Sequence, residues 1–209
     1  GIKFTVIAHK DRYGFPVEAH ACMDCGLVFL NPRLTRPAYK QFYASIYRPL
    51  VSAFHGRDIN ASTIQQEQTT YAAKRVKFLE PFVLPMYKTL LDIGGSTGVV
   101  ASKLAEAFEL TSTIIDPAPQ ETRVAQAGVE VLSGFFEDYA FRMRTFDVIT
   151  VCQTIDHMVD IADGLRRIQR LLAPNGLFFV DIVDFRSTYL RAGSVENAVK
   201  IDHPYYLMD

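Results

Sequence analysis

The sequence predicts an α/β fold, a parallel β-sheet with helices on both faces, preceded by a smaller amino-terminal module. Three observations predict it. From Lys88 onward short apolar runs alternate with helix-period patterns, the arrangement that strand–helix–strand units require. A glycine-rich turn stands directly after the first of those runs. The composition also shifts near residue 60, where a stretch rich in aromatics, Pro and turn residues, with no long helical pattern, gives way to a helical one.

Each element is argued from the pattern. In residues 61–80, Ile64, Tyr71, Ala72, Val76 and Leu79 recur at mostly helical intervals, and Pro81 and Pro85 end the segment. Residues 88–93 read as a buried strand, followed by the glycine turn and a helix carrying Val100, Leu104 and Phe108. Further strands are expected at 113–116, 129–132 and 146–151, with a helix over 120–127. Ile161, Leu165, Ile168 and Leu172 mark another helix, which Pro174-Asn175-Gly176 stops before a strand beginning at Leu177. The predicted organisation is therefore a small module over 1–58, a linking helix over 59–85 and a main domain over 86–209.

Composition limits the function classes. The 209 residues are 49% hydrophobic and 22% charged, which suits a globular chain. Lys and Arg total 22 against 23 Asp and Glu. That balance offers no electrostatic reason to expect a nucleic acid or an anionic membrane as partner. No apolar run approaches the ~18 residues of a membrane span. Three cysteines, two of them in a C-x-x-C pair, do not form a secreted disulfide framework, so a reducing cytoplasm is expected. The oligomeric state is not legible.

The loop Asp92-Ile-Gly94-Gly95-Ser96-Thr97-Gly98 joins the first strand to its helix. Glycines there allow a tight turn and close approach of a ligand to the backbone. Asp116 ends the second strand, 18 positions after Gly98, where a carboxylate can accept both ribose hydroxyls of an adenosine. The alternate spacing of Gly94, Ser96 and Gly98 is not the dinucleotide fingerprint. It resembles the first motif of class I S-adenosylmethionine (SAM)-dependent methyltransferases, an acid followed by G-x-G-x-G, with Ser96 in place of the middle glycine. The resemblance covers roughly 88–183 and implies a Rossmann-like sheet. It implies that Asp92 and the glycine loop face the methionine portion of SAM and Asp116 the ribose. It also implies that Gly134-Phe135-Phe136-Glu137 lies beside adenine, with Phe135 or Phe136 stacking on the ring or serving as core. Pro117, Cys152 and Gln153, at strand ends, are counted with the cofactor site.

Cys22-Met-Asp-Cys25-Gly26 has the turn expected of half a zinc ribbon. Two thiolates fall short of a four-ligand shell, and His9 and His20 are not compelled by spacing to complete it. Zinc on Cys22 and Cys25 therefore stays an open expectation. The segment from Cys22 to Arg33, with Phe42, Tyr43 and Tyr47, resembles the front of sugar C-methyltransferases, which join a zinc module to a SAM domain. Those proteins have an earlier cysteine pair and a terminal hairpin, so the resemblance implies a chain that is one piece of a longer protein.

Methyl transfer needs an aligned acceptor and, for carbon, hydroxyl or ammonium acceptors, a base. The resemblance favours His203, with Asp202 raising its basicity and Tyr205 or Tyr206 binding an oxygen that develops charge. His157 is a second candidate, or a residue that holds the cofactor loop. Tyr43 and Tyr47 are candidates to line the acceptor pocket; Asp181 and Asp184 either reach it or cap the segment after them. The leading expectation is a methyltransferase of a small molecule, by resemblance a nucleotide-linked sugar methylated at carbon. The alternatives are O- or N-methylation of another metabolite, or a SAM-binding module without catalysis.

Overall fold

The computed structural model describes residues 3–118 and 129–208. The helix expected over 120–127 lies outside the described residues. The chain divides into two compact units.

One unit comprises His55–Cys152 and Asp160–Val180. Its sheet holds five strands: β4 (Thr89–Ile93), β5 (Thr111–Asp116), β6 (Glu130–Ser133), β7 (Phe146–Cys152) and β8 (Leu172–Asp181). They lie in the order β6-β5-β4-β7-β8. β4 runs parallel to both β5 and β7, and β5 parallel to β6. Leu90, Leu91, Ile114, Ile115, Val148 and Ile149 are fully buried. Continuous apolar strands of this kind need helices on both sheet faces. The Asp147 carboxylate fixes where β4 begins, accepting the N–H groups of Lys88 and Thr89.

Helix α3 (Ala61–Leu79) starts at Asn60, whose side chain accepts the Thr63 N–H. It ends just before Pro81, as expected. Its Ala72 and Leu79 pack into a core shared with Leu90, Val100, Leu104 and Val148. The helix is thus part of the sheet unit rather than a separate linker. Helix α4 (Val99–Phe108) begins after Gly98, which has φ 82°. Helix α5 (Ile161–Leu171) is capped by Asp160, and β8 succeeds it at once, five residues earlier than the strand expected from Leu177.

The other unit comprises 1–54, 153–159 and 181–209. Its antiparallel sheet has the order β1-β2-β3-β9, from β1 (Phe4–Lys10), β2 (Pro16–Cys22), β3 (Val28–Leu30) and β9 (Tyr205–Tyr206). The carboxyl-terminal β9 pairs with β3 through Val28–Tyr206 and Phe29–Tyr205. Residues 181–209 therefore group with the amino-terminal strands, whereas the sequence reading places them in the main domain. The Asp11 carboxylate makes the same connection: one oxygen accepts the N–H groups of Tyr13 and Phe15 in the first hairpin, the other that of Ile201. Ala19, Leu30, Val199, Phe185 and Tyr206 form the core.

Residues 36–55 are helical, contrary to the sequence reading of the first 58 residues. They form α1 (Arg36–Gln41), a π-helical turn over Phe42–Ile46 and α2 (Tyr47–His55). The aromatic residues that hide the helical period also fill its contacts: Tyr43 packs against Tyr39, Phe42 and Tyr47. Helices α6 (Phe185–Ala192) and α7 (Val195–Ala198) complete the unit.

Candidate active site

The glycine loop leaves the end of β4. Positive φ at Gly94 (73°), Ser96 (48°) and Gly98 (82°) carries the chain through a tight turn into α4. Gly95 is required for space: a Cβ there would lie 2.7 Å from Ile114 Cγ2 and 2.8 Å from Asp92 Oδ2.

Asp92 is 1% exposed. Thr150, opposite it on β7, donates its hydroxyl to Oδ1 at 2.7 Å, whereas Oδ2 has no hydrogen-bond partner among the described residues. Burial pushes the Asp92 carboxyl up to about 7, against the lowering effect of Thr150. Asp116 ends β5; its two oxygens accept the N–H groups of Ser96 at 2.8 Å and Ala118 at 2.7 Å. A carboxylate oxygen has lone pairs for more than one donor. Asp116 and the glycine loop are thus tied together directly. Thr97 of the loop donates to Gln68 of α3. Neither Thr150 nor Gln68 is legible from sequence, because each reaches the loop across a fold contact.

Phe136 is buried and packs on Phe141 beside the Arg167 guanidinium, which makes it a core residue. Phe135 and Pro117 are half-buried. Cys152 ends β7 in this unit, while Gln153 belongs to the other.

The catalytic candidates all fall in the antiparallel unit. His203 is buried, and its Nδ1 lies 2.7 Å from Asp156 Oδ2, to which it donates. Asp202, the partner expected from sequence, stands 3.6 Å from Nε2 and makes no hydrogen bond to it. The acid that orients His203 is therefore Asp156, 47 positions upstream. Burial raises the Asp156 carboxyl, yet the His203 hydrogen bond and the two histidine charges prevail and hold it well below its ordinary value.

His157 lies with its ring 4.0 Å from that of His203 and shares a hydrogen bond with the Tyr43 hydroxyl through Nδ1. Burial, then the neighbouring His203, lowers it to about 4. It is neutral at pH 7 and too weak a base for the work expected of His203. Tyr43 joins this cluster through that hydrogen bond to His157. Tyr206 is not free: its hydroxyl donates to the Lys200 carbonyl and accepts the Lys200 N–H, both at 2.7 Å. The hydroxyl thus holds the 200–206 turn, at the residue where the sequence reading expects a catalytic role. Tyr205 donates to the Val159 carbonyl and accepts from Arg33. Asp184 caps α6, accepting the N–H groups of Arg186 and Ser187.

Cys22 and Cys25 sit in the hairpin turn joining β2 to β3, where Gly26 (φ 76°) donates its N–H to the Cys22 carbonyl. Backbone N–H groups of Cys25 and Asp24 lower the Cys22 thiol. A tetrahedral zinc needs four donors. Among the described residues no third donor joins the two sulfurs, and His20 is turned to the Asn31 carbonyl and Glu18. Two sulfurs fall short of that shell among the described residues, and the motif forms the turn of the β2–β3 hairpin.

Comparison with known proteins shows where the fold belongs. Residues 64–204 match the family model described as a methyltransferase domain. A ubiquinone biosynthesis O-methyltransferase of Methylobacterium sp. (strain 4-46) is 33% identical over 106 residues, 46% of this chain and 41% of its own length. The cypemycin N-terminal methyltransferase of Streptomyces sp. is 32% identical over 120 residues, 54% of this chain and 48% of its own. The chain spans about two-fifths of the length of the first of these relatives. Among solved structures, the plantazolicin methyltransferase BpumL, in complex with a monoazolic desmethylPZN analogue and S-adenosylhomocysteine (SAH), superposes with TM-score 0.56 at 11% identity, over 78% of this chain and 62% of that one. No helix among the described residues is long and apolar enough to cross a membrane. With the family model spanning 141 of the 209 residues, the chain belongs to the methyltransferase domain family, whose cofactor is S-adenosylmethionine.

Proposed function

We propose that this protein transfers the methyl group of SAM to a small polar acceptor, with His203 as the base. The observation that carries the reading is the loop Asp92–Gly98 with Asp116 hydrogen-bonded into it. Asp116 would take the ribose hydroxyls, the loop N–H groups and the open Asp92 Oδ2 the methionine portion, and Phe135 a face of the adenine.

When bound, SAM supplies a methyl carbon made electrophilic by its sulfonium. The residues of the chain supply the rest. Asp156 holds the His203 proton on Nδ1, which fixes the tautomer and leaves Nε2 as acceptor. Nε2 would take the proton that a hydroxyl, ammonium or carbon acceptor gives up on methylation. Buried Asp156 and Asp202, both held ionised, stabilise the imidazolium so produced. Tyr43 and His157 position this cluster.

Resemblance to the sugar C-methyltransferases makes an activated sugar the first acceptor to try. The relatives named for O- and N-terminal methylation favour hydroxyl or amine acceptors as the second reading. Calorimetry with SAM and SAH tests the cofactor step. We expect micromolar binding by the full chain and about a hundredfold loss in Asp116→Ala, as two charge-assisted hydrogen bonds disappear. A folded protein that binds neither would sink the proposal. Turnover with nucleotide sugars, phenols and amines then sorts the acceptors. His203→Gln should lower kcat by about 10²–10⁴ while leaving SAM affinity alone; unchanged kcat would remove His203 from the mechanism.

A further inference from the structure

The geometry points to an oxyanion subsite in the antiparallel unit: the cavity lined by His203, Arg12, Arg191 and Lys200 receives a phosphate or carboxylate group of the acceptor. That the anion belongs to the acceptor rests on the methyltransferase reading; its binding does not.

Four segments bring the charges together. Arg12 comes from the turn after β1, Arg191 from the last turn of α6, Lys200 from the loop after α7, and Asp156 with His203 from the catalytic cluster. Asp156 is the one carboxylate among the residues lining this cavity, and His203 already occupies it. Among the described residues neither Arg12, Arg191 nor Lys200 forms an ion pair. Three positive charges therefore face one space, none of them neutralised by direct contact with a carboxylate. Burial lowers the Lys200 ammonium despite the nearby Asp202 carboxylate. The Asp202 and Asp156 carboxylates offset that desolvation only in part, and an anion in the cavity would offset more of it.

Arg12 is also held in place. Its Nε donates to the Asn197 carbonyl and its guanidinium lies 5.7 Å from the Phe54 ring centre. The terminal nitrogens of its fork are left for a planar or tetrahedral oxyanion. Size narrows the ligand. The cavity measures about 200 Å³, below the ~300 Å³ at which pockets begin to enclose whole drug-sized molecules. It suits a compact acidic head group, not an entire nucleotide. His203 in the same wall would set that group beside the base.

The test titrates the full chain with inorganic phosphate and, separately, sodium acetate at low ionic strength, reading heat and the ¹⁵N signals of the histidine rings. SAM binding is measured on the same sample. We expect millimolar or tighter binding of at least one anion, with the His203 signals moving and those of His9 unmoved. The tighter of the two identifies the head group. Arg191→Gln, at an exposed position, should weaken binding about tenfold and leave SAM affinity unchanged. Lys200→Gln should weaken it similarly while Lys200→Arg retains it, which separates lost charge from lost folding. Lys103→Gln, a charge change in the other unit, should have no effect. If neither anion binds, or Arg191→Gln binds as tightly as wild type, the subsite is wrong. SAM binding without anion binding overturns this inference alone; anion binding without SAM binding overturns the methyltransferase reading alone.

Discussion

The two units of this protein differ in the contacts that hold each of them together internally. In the parallel-sheet unit the residues of the cofactor loop come from successive segments, and distant contacts such as Thr150 to Asp92 brace them. Asp92 and the glycine loop are seven consecutive residues, and Asp116 lies on the next strand. In the antiparallel unit the decisive neighbours are far apart in the chain. Asp11 accepts from Ile201, β3 pairs with β9, and Tyr43 meets His157. One unit builds a site from a motif; the other assembles one from scattered residues that closure of the chain brings together. Such non-local contacts carry a larger loop-closure cost and leave no periodic trace.

Four measurements put that contrast at risk, in descending order of effect. Thr150→Val removes the one hydrogen bond that the buried Asp92 carboxyl accepts among the described residues. It should cost about 1.5–3 kcal/mol in urea unfolding, and unchanged stability would mean that Asp92 is satisfied by another route. Tyr206→Phe frees both polar backbone groups of Lys200 and should cost about 1–2 kcal/mol. Its turnover per folded molecule should fall far less than that of His203→Gln; an equal fall would return Tyr206 to the chemistry.

The pH dependence of stability separates the units by sign. The Asp92 carboxyl is raised from 3.8 to about 7. Between those values the folded state keeps a proton that the unfolded state has released, so the Asp92 contribution falls as pH rises through about 4 to 7. His157 is lowered from 6.5 to about 4. There the unfolded state takes up a proton that the folded state excludes, and the His157 contribution is lost as pH falls through 6.5 toward 4. Asp92→Asn should therefore make the stability curve rise more steeply with pH over this window, and His157→Gln should make it rise less. Changes of the same sign in both variants would refute the assignment. The smallest effect belongs to the C-x-x-C turn. Cys25 is exposed, so Cys25→Ser should shift stability by no more than about 0.5 kcal/mol, with or without added zinc or chelator. A large chelator-dependent loss would restore the metal reading.

Much of the cofactor side is legible in the order of the amino acids. The strand, glycine turn, helix and second-strand acid succeed one another in the chain, and each has a local chemical reason. The C-x-x-C pair is equally visible, but a two-residue spacing suits a hairpin turn as well as a metal knuckle. Only the surroundings of Cys22 and Cys25 distinguish them. Adjacency makes Asp202 a reasonable partner for His203; adjacent side chains diverge, and the acid that reaches Nδ1 comes from residue 156.

Neighbouring residues alone thus specify the parallel sheet and the loop Asp92–Gly98 with Asp116, because backbone conformation and strand period are local properties of the chain. The pairing of Asp156 with His203, the commitment of Tyr206 to the Lys200 backbone and the convergence of Arg12, Arg191 and Lys200 on one cavity arise only in the folded molecule. Those depend on which distant segments share a core, and the burial that makes such polar groups matter exists only once the chain has closed around them.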